Sequence, residues 1–449
     1  VVESRPTGAG LHLVTGAGVS ERTAQVAKTQ SRGSDTVTNP AASKHQLIER
    51  YKSLAQNAAF LFALRALQHV LRLVIVYFVV RALSQESFGN YQFVLSCVAL
   101  MAIFTLPGLN NSVMQTVARG LLGIYRKAVP RAVACSVIGG VILAGLGVYY
   151  RYTNQNAVSS GFFVAACLFP PAYGLEQWKS FRSGKEDFAG IFRIGAIGAV
   201  VLAVFMIAAV TRRPGDFLVP LAVLLGVQAG QNLLLTWSTL RSIPKDSASE
   251  SGSLRYGFRT TFYTAFNTIA NQTDKLLIYY FLSPTSLALF YAAERLPEMT
   301  KGVVQDVAGV LAPRFAKRDR YTADLDKKLR IMGLITGALI ILLAFLILPL
   351  VVSILFGDSY DESIPYAQAL MCSVAIGNIA TLRYRYVASK LDEVSSRSVN
   401  IGMSLTRIAA SLVLVPLYGI LGAVISAFIY RIVMVIIVYA IIRKRYLDV

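Results

Sequence analysis

Residues 267–284 read NTIANQTDKLLIYYFLSP. The second half, LLIYYFL, is apolar enough for lipid. The first half carries Asn267, Asn271, Asp274 and Lys275. Thr264, Asn267, Asn271 and Asp274 recur at helical spacing, so they share one face, with Lys275 alongside. A charged face inside a membrane costs several kcal/mol unless it meets a cavity or another charge, by order of magnitude. This stretch therefore predicts a membrane helix whose polar side is turned inward.

The rest of the chain supports a membrane setting. Of 449 residues, 55% are hydrophobic and only 15% charged, and the mean hydropathy is +0.55. Soluble domains carry roughly 25% charged residues. The apolar residues lie in runs of about 18–25, the length that crosses a hydrocarbon core of about 30 Å. A β-barrel would alternate polar and apolar residues over segments of about ten, a pattern the chain does not show. The formal net charge is +20, but the Lys and Arg sit in short loops between apolar runs. No basic stripe with interleaved aromatics is present, so nucleic acid is not the expected partner. Cys97, Cys135, Cys167 and Cys372 fall inside apolar runs without close spacing, and the three histidines are scattered. Neither a metal site nor a disulfide framework is expected.

About twelve spans are expected: 58–80, 91–109, 133–150, 157–175, 189–210, 216–236, 259–282, 286–311, 330–355, 363–382, 398–415 and 419–441. Basic residues crowd alternate loops: Arg119 to Arg131, Lys179 to Lys185, Arg241 to Arg255, Arg314 to Lys328, and Arg383 to Arg397. The intervening loops hold little beyond Arg81, Arg151, Arg212 and Arg213. The positive-inside rule then places both termini in the cytoplasm, and RKRY at 443–446 agrees. Residues 1–45, rich in Ser, Thr, Gly and Ala, read as a disordered cytoplasmic tail without a cleavable signal peptide. The linker RSIPKDSASESGSLRYGF (241–258) divides the spans six and six, giving lobes at 46–240 and 259–449 around a central cleft. The outer loops SPTS (283–286) and PLYG (416–419) leave no room for an extracytoplasmic catalytic domain.

Three spans carry polar stripes. In the first, Arg65, His69 and Arg72 stand at i, i+4, i+7. The seventh is the opening stretch. In the eighth, Tyr291, Glu294, Glu298, Lys301 and Gln305 share a face, with Arg295 beside it and Pro297 expected to kink the helix. Arg407 and Arg431 lie near mid-depth in the last two spans. The bland readings are snorkelling to the headgroups, for Arg193 and Lys301, an acid partner for Arg431, and a mutual Asp274–Lys275 pair. Stripes on three helices together are better read as the lining of a water-filled, cationic cleft. Its candidate binding residues are Arg65, His69, Arg72, Asn267, Asn271, Lys275, Tyr291, Arg295, Lys301 and Arg407. Such a site suits phosphate or pyrophosphate, with Arg supplying a bidentate fork. Asp274, Glu294 and Glu298 would trim its charge or take up a proton or Na⁺.

Ordered landmarks from about residue 50 to 445 add a family resemblance. RALSQESFGNYQF (81–93) holds Leu83, Phe88, Gly89 and Tyr91 in a Leu-x4-Phe-Gly-x-Tyr pattern. PGLNNSVMQTVAR (107–119) follows. DKLLIYYFLSPTSLALFYAAERL (274–296) holds Asp274, Ile278, Leu282, Tyr291 and Ala292. LAPRFAK (311–317), LFGDSY (355–360) and PLYGILGAVIS (416–426) complete the set. In this order they resemble the polysaccharide-transport branch of the MATE-like (MOP) flippase superfamily, the Wzx-like O-antigen and exopolysaccharide flippases. Leu289 and Phe290 depart from the Gly often found before the tyrosine of the eighth span.

The resemblance implies a bacterial inner-membrane flippase, not an enzyme and without a cofactor. It would carry a polyprenyl-pyrophosphate-linked oligosaccharide from the cytoplasmic to the outer leaflet by alternating access. It also implies coupling to H⁺ or Na⁺ and contact with membrane lipids and polysaccharide-assembly proteins. The alternatives are a lipid II flippase, a MATE-type exporter of cationic drugs, and, from another class, a polysaccharide polymerase or ligase. The last would need a large outer loop.

Overall fold

The computed structural model describes residues 63–64, 66–244, 247–248, 251–316, 321–390 and 392–446. The tail expected over 1–45 and Arg65 lie outside them. The described residues belong to one compact unit, Phe60–Val449, and helices dominate throughout.

The helices are α1 (66–82), α2 (Gln85–Met101), α3 (Gly108–Ala118), α4 (Ile124–Tyr152), α5 (Asn156–Tyr173), α6 (Trp178–Gly184), α7 (Phe188–Arg212) and α8 (Leu218–Ser242). After the linker come α9 (Ser251–Phe281), α10 (Pro284–Ala316), α11 (Ala323–Leu346), α12 (Leu348–Phe356), α13 (Ile364–Ser389), α14 (Glu393–Tyr418) and α15 (Ile420–Arg445). Every expected span has a helix. Among the described residues, eight helices are long and apolar enough to cross a membrane. The protein is an all-α polytopic membrane protein. Helices suit lipid because each satisfies its own backbone hydrogen bonds. Several starts are capped by side chains: Ser84, Asp187, Thr322 and Asp392 each accept an amide hydrogen bond from the first turn of α2, α7, α11 and α14.

Two spans expected as single helices are broken. Between α2 and α3 the chain passes through a 3₁₀ turn, Ala102–Thr105, and Leu106 adopts a left-handed conformation (φ 57°). Pro107 follows and has no amide to continue the ladder. The ninth span divides at Ile347 into α11 and α12, with Pro349 opening the second piece. Conversely, α10 remains one 33-residue helix across Pro297. At 1.5 Å per residue it is about 50 Å long, well beyond a hydrocarbon core of about 30 Å.

Contacts at the loops define two ends. At one, the linker end, the amide of Gly123 donates to the carbonyl of Ala248 (3.0 Å). There Arg126 also donates to the carbonyl of Leu240 (2.9 Å), and Arg445 pairs with Asp392 (3.1 Å). At the other, the turn end, Gly215 donates to the Ala82 carbonyl (2.8 Å), and Gln85 bonds to the Ser359 carbonyl. Successive loops thus alternate between the ends, as the spans require.

Within the first half of the chain α4 packs on α5, α5 on α8 and α7 on α8. Within the second, α13 is central, against α10, α11 and α15, while α14 packs on α15 and α9. The halves meet along α2 and α3 against α9 and α10. Glycine makes this seam tight. A Cβ on Gly89 would lie 1.9 Å from the Pro284 carbonyl oxygen, and one on Gly108 would lie 2.2 Å from that of Gly257. Near the turn end the rings of Phe93 and Tyr279 stack at 3.6 Å, and Tyr279 donates to Asn90 (2.8 Å). The outer faces of α7 and α11 are apolar and exposed, with Ile197, Val204, Ile335 and Leu346 at 60–72%. This is what a lipid-facing surface requires.

Candidate functional site

Of the polar residues of the opening stretch, Asn271, Asp274 and Lys275 turn inward, while Asn267 is exposed. Neighbours on a helix point about 100° apart, and here Asp274 and Lys275 go to different partners. Asp274, 1% exposed, accepts two hydrogen bonds on Oδ2 from Arg407, Nε at 2.9 Å and Nη2 at 2.7 Å. Its Oδ1 meets the Ser411 hydroxyl, which lies 3.1 Å from that of Ser426. Arg407 also donates to Asn271 (2.9 Å) and reaches Glu294 (3.4 Å). Lys275 instead pairs with Glu294 at 2.9 Å and lies 3.9 Å from Glu298. The mutual Asp274–Lys275 pair considered from sequence is therefore replaced by two pairs with other helices.

These residues come from α9, α10, α14 and α15, all in the second half of the chain. Asn271, Asp274, Glu294, Glu298 and Arg407 among them border a cavity of about 410 Å³, its open mouth included. Lys301, Arg407 and Arg431 face Asp274, Glu294 and Glu298 around it, so the lining charges balance. Arg431 was expected to seek an acid. Its Nε instead donates to the Tyr430 hydroxyl (3.0 Å), and Arg407 lies 5.2 Å from the same ring. Such charge pairs hold in an apolar bundle only when each partner is hydrogen-bonded.

The remaining predicted residues form a second group. Arg72 on α1 is exposed. Arg295 lies 5.9 Å from the Tyr291 ring, and its buried Nε lacks a hydrogen-bond partner. Tyr291 is held edge-on by Phe88 (5.4 Å). His69 is half-buried. Asn267 is exposed and accepts from Asn271 at 3.4 Å. Lys275 turns into the second-half network, onto Glu294. Sequence reasoning missed Ser411, Ser426 and Tyr430. Ser411 stands one helical turn after Arg407, a signal that was present but faint.

A charged cavity inside a multi-pass helical bundle is a feature a membrane transporter can use. Among the described residues no group of His, Cys, Asp and Glu could hold a metal. Comparison with known proteins agrees. Residues 54–319 match the model of the polysaccharide biosynthesis protein family, and the chain belongs to that family. It is 21% identical over 334 residues to the "Putative O-antigen transporter" of Escherichia coli K12, covering 70% of this chain and 78% of that one. A protein of the same name from Shigella dysenteriae is 20% identical over 391 residues, covering 83% and 96%. The fold is similar to that of lipid II flippase MurJ in an inward closed conformation (TM-score 0.62, 13% identity, 87% and 88% covered). It is also similar to an outward-facing multidrug resistance MATE family transporter of the MOP superfamily (TM-score 0.61, 13% identity, 88% and 95% covered).

Proposed function

We propose that the protein is a flippase. It moves a polyprenyl-pyrophosphate-linked oligosaccharide, an O-antigen or exopolysaccharide repeat unit, from the cytoplasmic to the outer leaflet of a bacterial inner membrane. The observation that carries this reading is Arg295 on α10, beside the Tyr291 ring, whose buried Nε has no hydrogen-bond partner. A buried guanidinium with an unmet donor suits an anion, and a pyrophosphate is such an anion. Tyr291 beside it offers a ring face and a hydroxyl to a sugar, while the prenyl chain stays in lipid. The family and the names of the curated relatives support the same substrate class.

The seam between the halves is where alternating access would act: the lobe of spans one to six rocks against that of spans seven to twelve. The linker end faces the cytoplasm, with both termini, because the basic loops lie there. Asp274 and Glu294 are the acids through which H⁺ or Na⁺ would couple, by competing with Arg407 and Lys275. A cation exporter is disfavoured, because Arg72 and Arg295 would repel its substrate.

The test is deletion in the native host with complementation by Arg72→Ala and Arg295→Ala. Accumulation of a lipid-linked repeat unit on the cytoplasmic leaflet, not relieved by either variant, is expected. Unchanged glycan export in the deletion strain ends the proposal.

A further inference from the structure

The ion pairs of the second-half cavity leave two of its cations without an acid. Arg407 is engaged by Asp274, and Lys275 by Glu294 with Glu298 in reach. Those are all the acids that line the cavity, yet Lys301 and Arg431 line it too. With Lys275 counted, four cations meet three acids, an excess of one positive charge. Arg431 is 9% exposed. It stands in mid-helix on α15, about 16 Å from the helix start at about 1.5 Å per residue, too deep to snorkel to the headgroups. Among the described residues it makes one hydrogen bond, from Nε to the Tyr430 hydroxyl (3.0 Å), and no ion pair. Its two terminal nitrogens are left to donate. Lys301, half-buried, makes neither a hydrogen bond nor an ion pair among the described residues. The buried Tyr430 oxygen takes the Arg431 bond, so its proton is left to donate as well. A buried charge without a partner is costly and calls for a counter-ion.

We propose that the cavity binds one small monovalent anion, chloride, through the Arg431 terminal nitrogens, Lys301 Nζ and the Tyr430 hydroxyl. The charge excess selects the valence: one negative charge cancels it, and a divalent anion would reverse it. The free groups are all donors, which selects an ion that only accepts hydrogen bonds. Asp274, Glu294 and Glu298 already face Arg407 and Lys275, which weakens their repulsion of the anion. Because Lys301 belongs to α10 and Arg431 to α15, the bound anion ties two helices of the second half together. The site uses neither Arg72 nor Arg295, and it goes beyond the transport reading without resting on it.

The test titrates chloride into the full chain, purified in detergent in a gluconate buffer of constant ionic strength. The quadrupolar line width of the chloride NMR signal reports the bound ion. The wild type should broaden the signal saturably. Arg431→Gln is expected to weaken binding about tenfold or more, and Lys301→Gln about threefold to tenfold. Glu298→Gln removes an acid from the same cavity and should act in the opposite sense, tightening binding about threefold. A residue that only packs would not give that reversal. Arg295→Ala should leave the titration as in the wild type. If Arg431→Gln does not fold, Lys301→Gln and Glu298→Gln carry the test through their opposite signs. Absence of saturable broadening in the wild type overturns the proposal. So does equal binding by the wild type, Lys301→Gln and Glu298→Gln, or a loss confined to Arg295→Ala.

Discussion

The two charge groups of this protein use arginine in opposite ways. Arg407 is a strut: buried, forked onto Asp274, with Asn271 and Glu294 also in reach. Arg72 is exposed, and Arg295 keeps a buried Nε without a hydrogen-bond partner. The first arrangement has its counter-charges in place, while the second is proposed to meet its counter-charge in the substrate. In-span charge therefore does not mark a binding site by itself. What matters is whether the contact distances already contain the counter-charge.

The largest expected effect breaks the completed group. Arg407→Leu leaves Asp274 buried without its partner, a loss of about 3–5 kcal/mol, and the thermal midpoint in detergent should fall sharply. Asp274→Asn with Arg407→Gln should recover most of it. Wild-type stability in Arg407→Leu would show that the network is not structural.

The incomplete group should respond in the opposite sense. Arg72→Ala and Arg295→Ala should leave stability within about 0.5 kcal/mol but lower affinity for the lipid-linked donor. The loss of one charged contact is about 1.5–3 kcal/mol, a tenfold to hundredfold change. Arg72→Lys should lose less, since it keeps the charge and gives up only the fork. Donor binding at matched protein levels checks this, and unaltered binding in both alanine variants would remove the distinction between the groups.

A third experiment asks whether the seam moves between them. Gly89→Ala places a methyl group 1.9 Å from the Pro284 carbonyl oxygen. Overpacking of this kind costs about 1–3 kcal/mol and should favour a state open at the turn end. A single cysteine at Asn90, with the four native cysteines replaced by serine, should then react faster with a water-soluble thiol reagent.

The smallest effect lies at the linker end. The Asp392 carboxylate accepts from the Ser395 hydroxyl (2.6 Å) and amide (3.0 Å), with Tyr446 at 3.0 Å. These bonds, those of Ser395 first, hold its pKa at about 2 against an ordinary 3.8. Because the folded value is depressed, the contribution is full above about pH 4 and is lost as pH falls toward 2. Asp392→Ala should cost about 0.5–2 kcal/mol at neutral pH, as for other caps, and should flatten that acid limb of the stability profile.

The opening stretch shows how far a sequence can be read. The helical period gave the inward face correctly for Asn271 and Asp274, because periodicity is a local property, but Asn267 on the same stripe is exposed. Membership of α9, α10 and α14 in one charged group was legible from their in-span residues. The pairing was not. Asp274 and Lys275 are adjacent in the chain, yet only the packing of α14 and α15 gives Asp274 to Arg407, and only the approach of α10 gives Lys275 to Glu294. The breaks at Leu106 and Ile347 were missed because hydropathy runs on through both, although Pro107 and Pro349 mark the places.

The chain by itself determined the membrane setting and the order of the spans. Burial of about twenty apolar residues in lipid depends on local composition, and no distant residue can reverse it. Tertiary structure alone decided which acid neutralises which cation, Asp274 for Arg407 and Glu294 for Lys275. Coulomb energy depends on separations of a few ångströms between groups more than 100 residues apart, such as Asp274 and Arg407. Those separations are set by helix packing, which the order of residues along one helix does not contain.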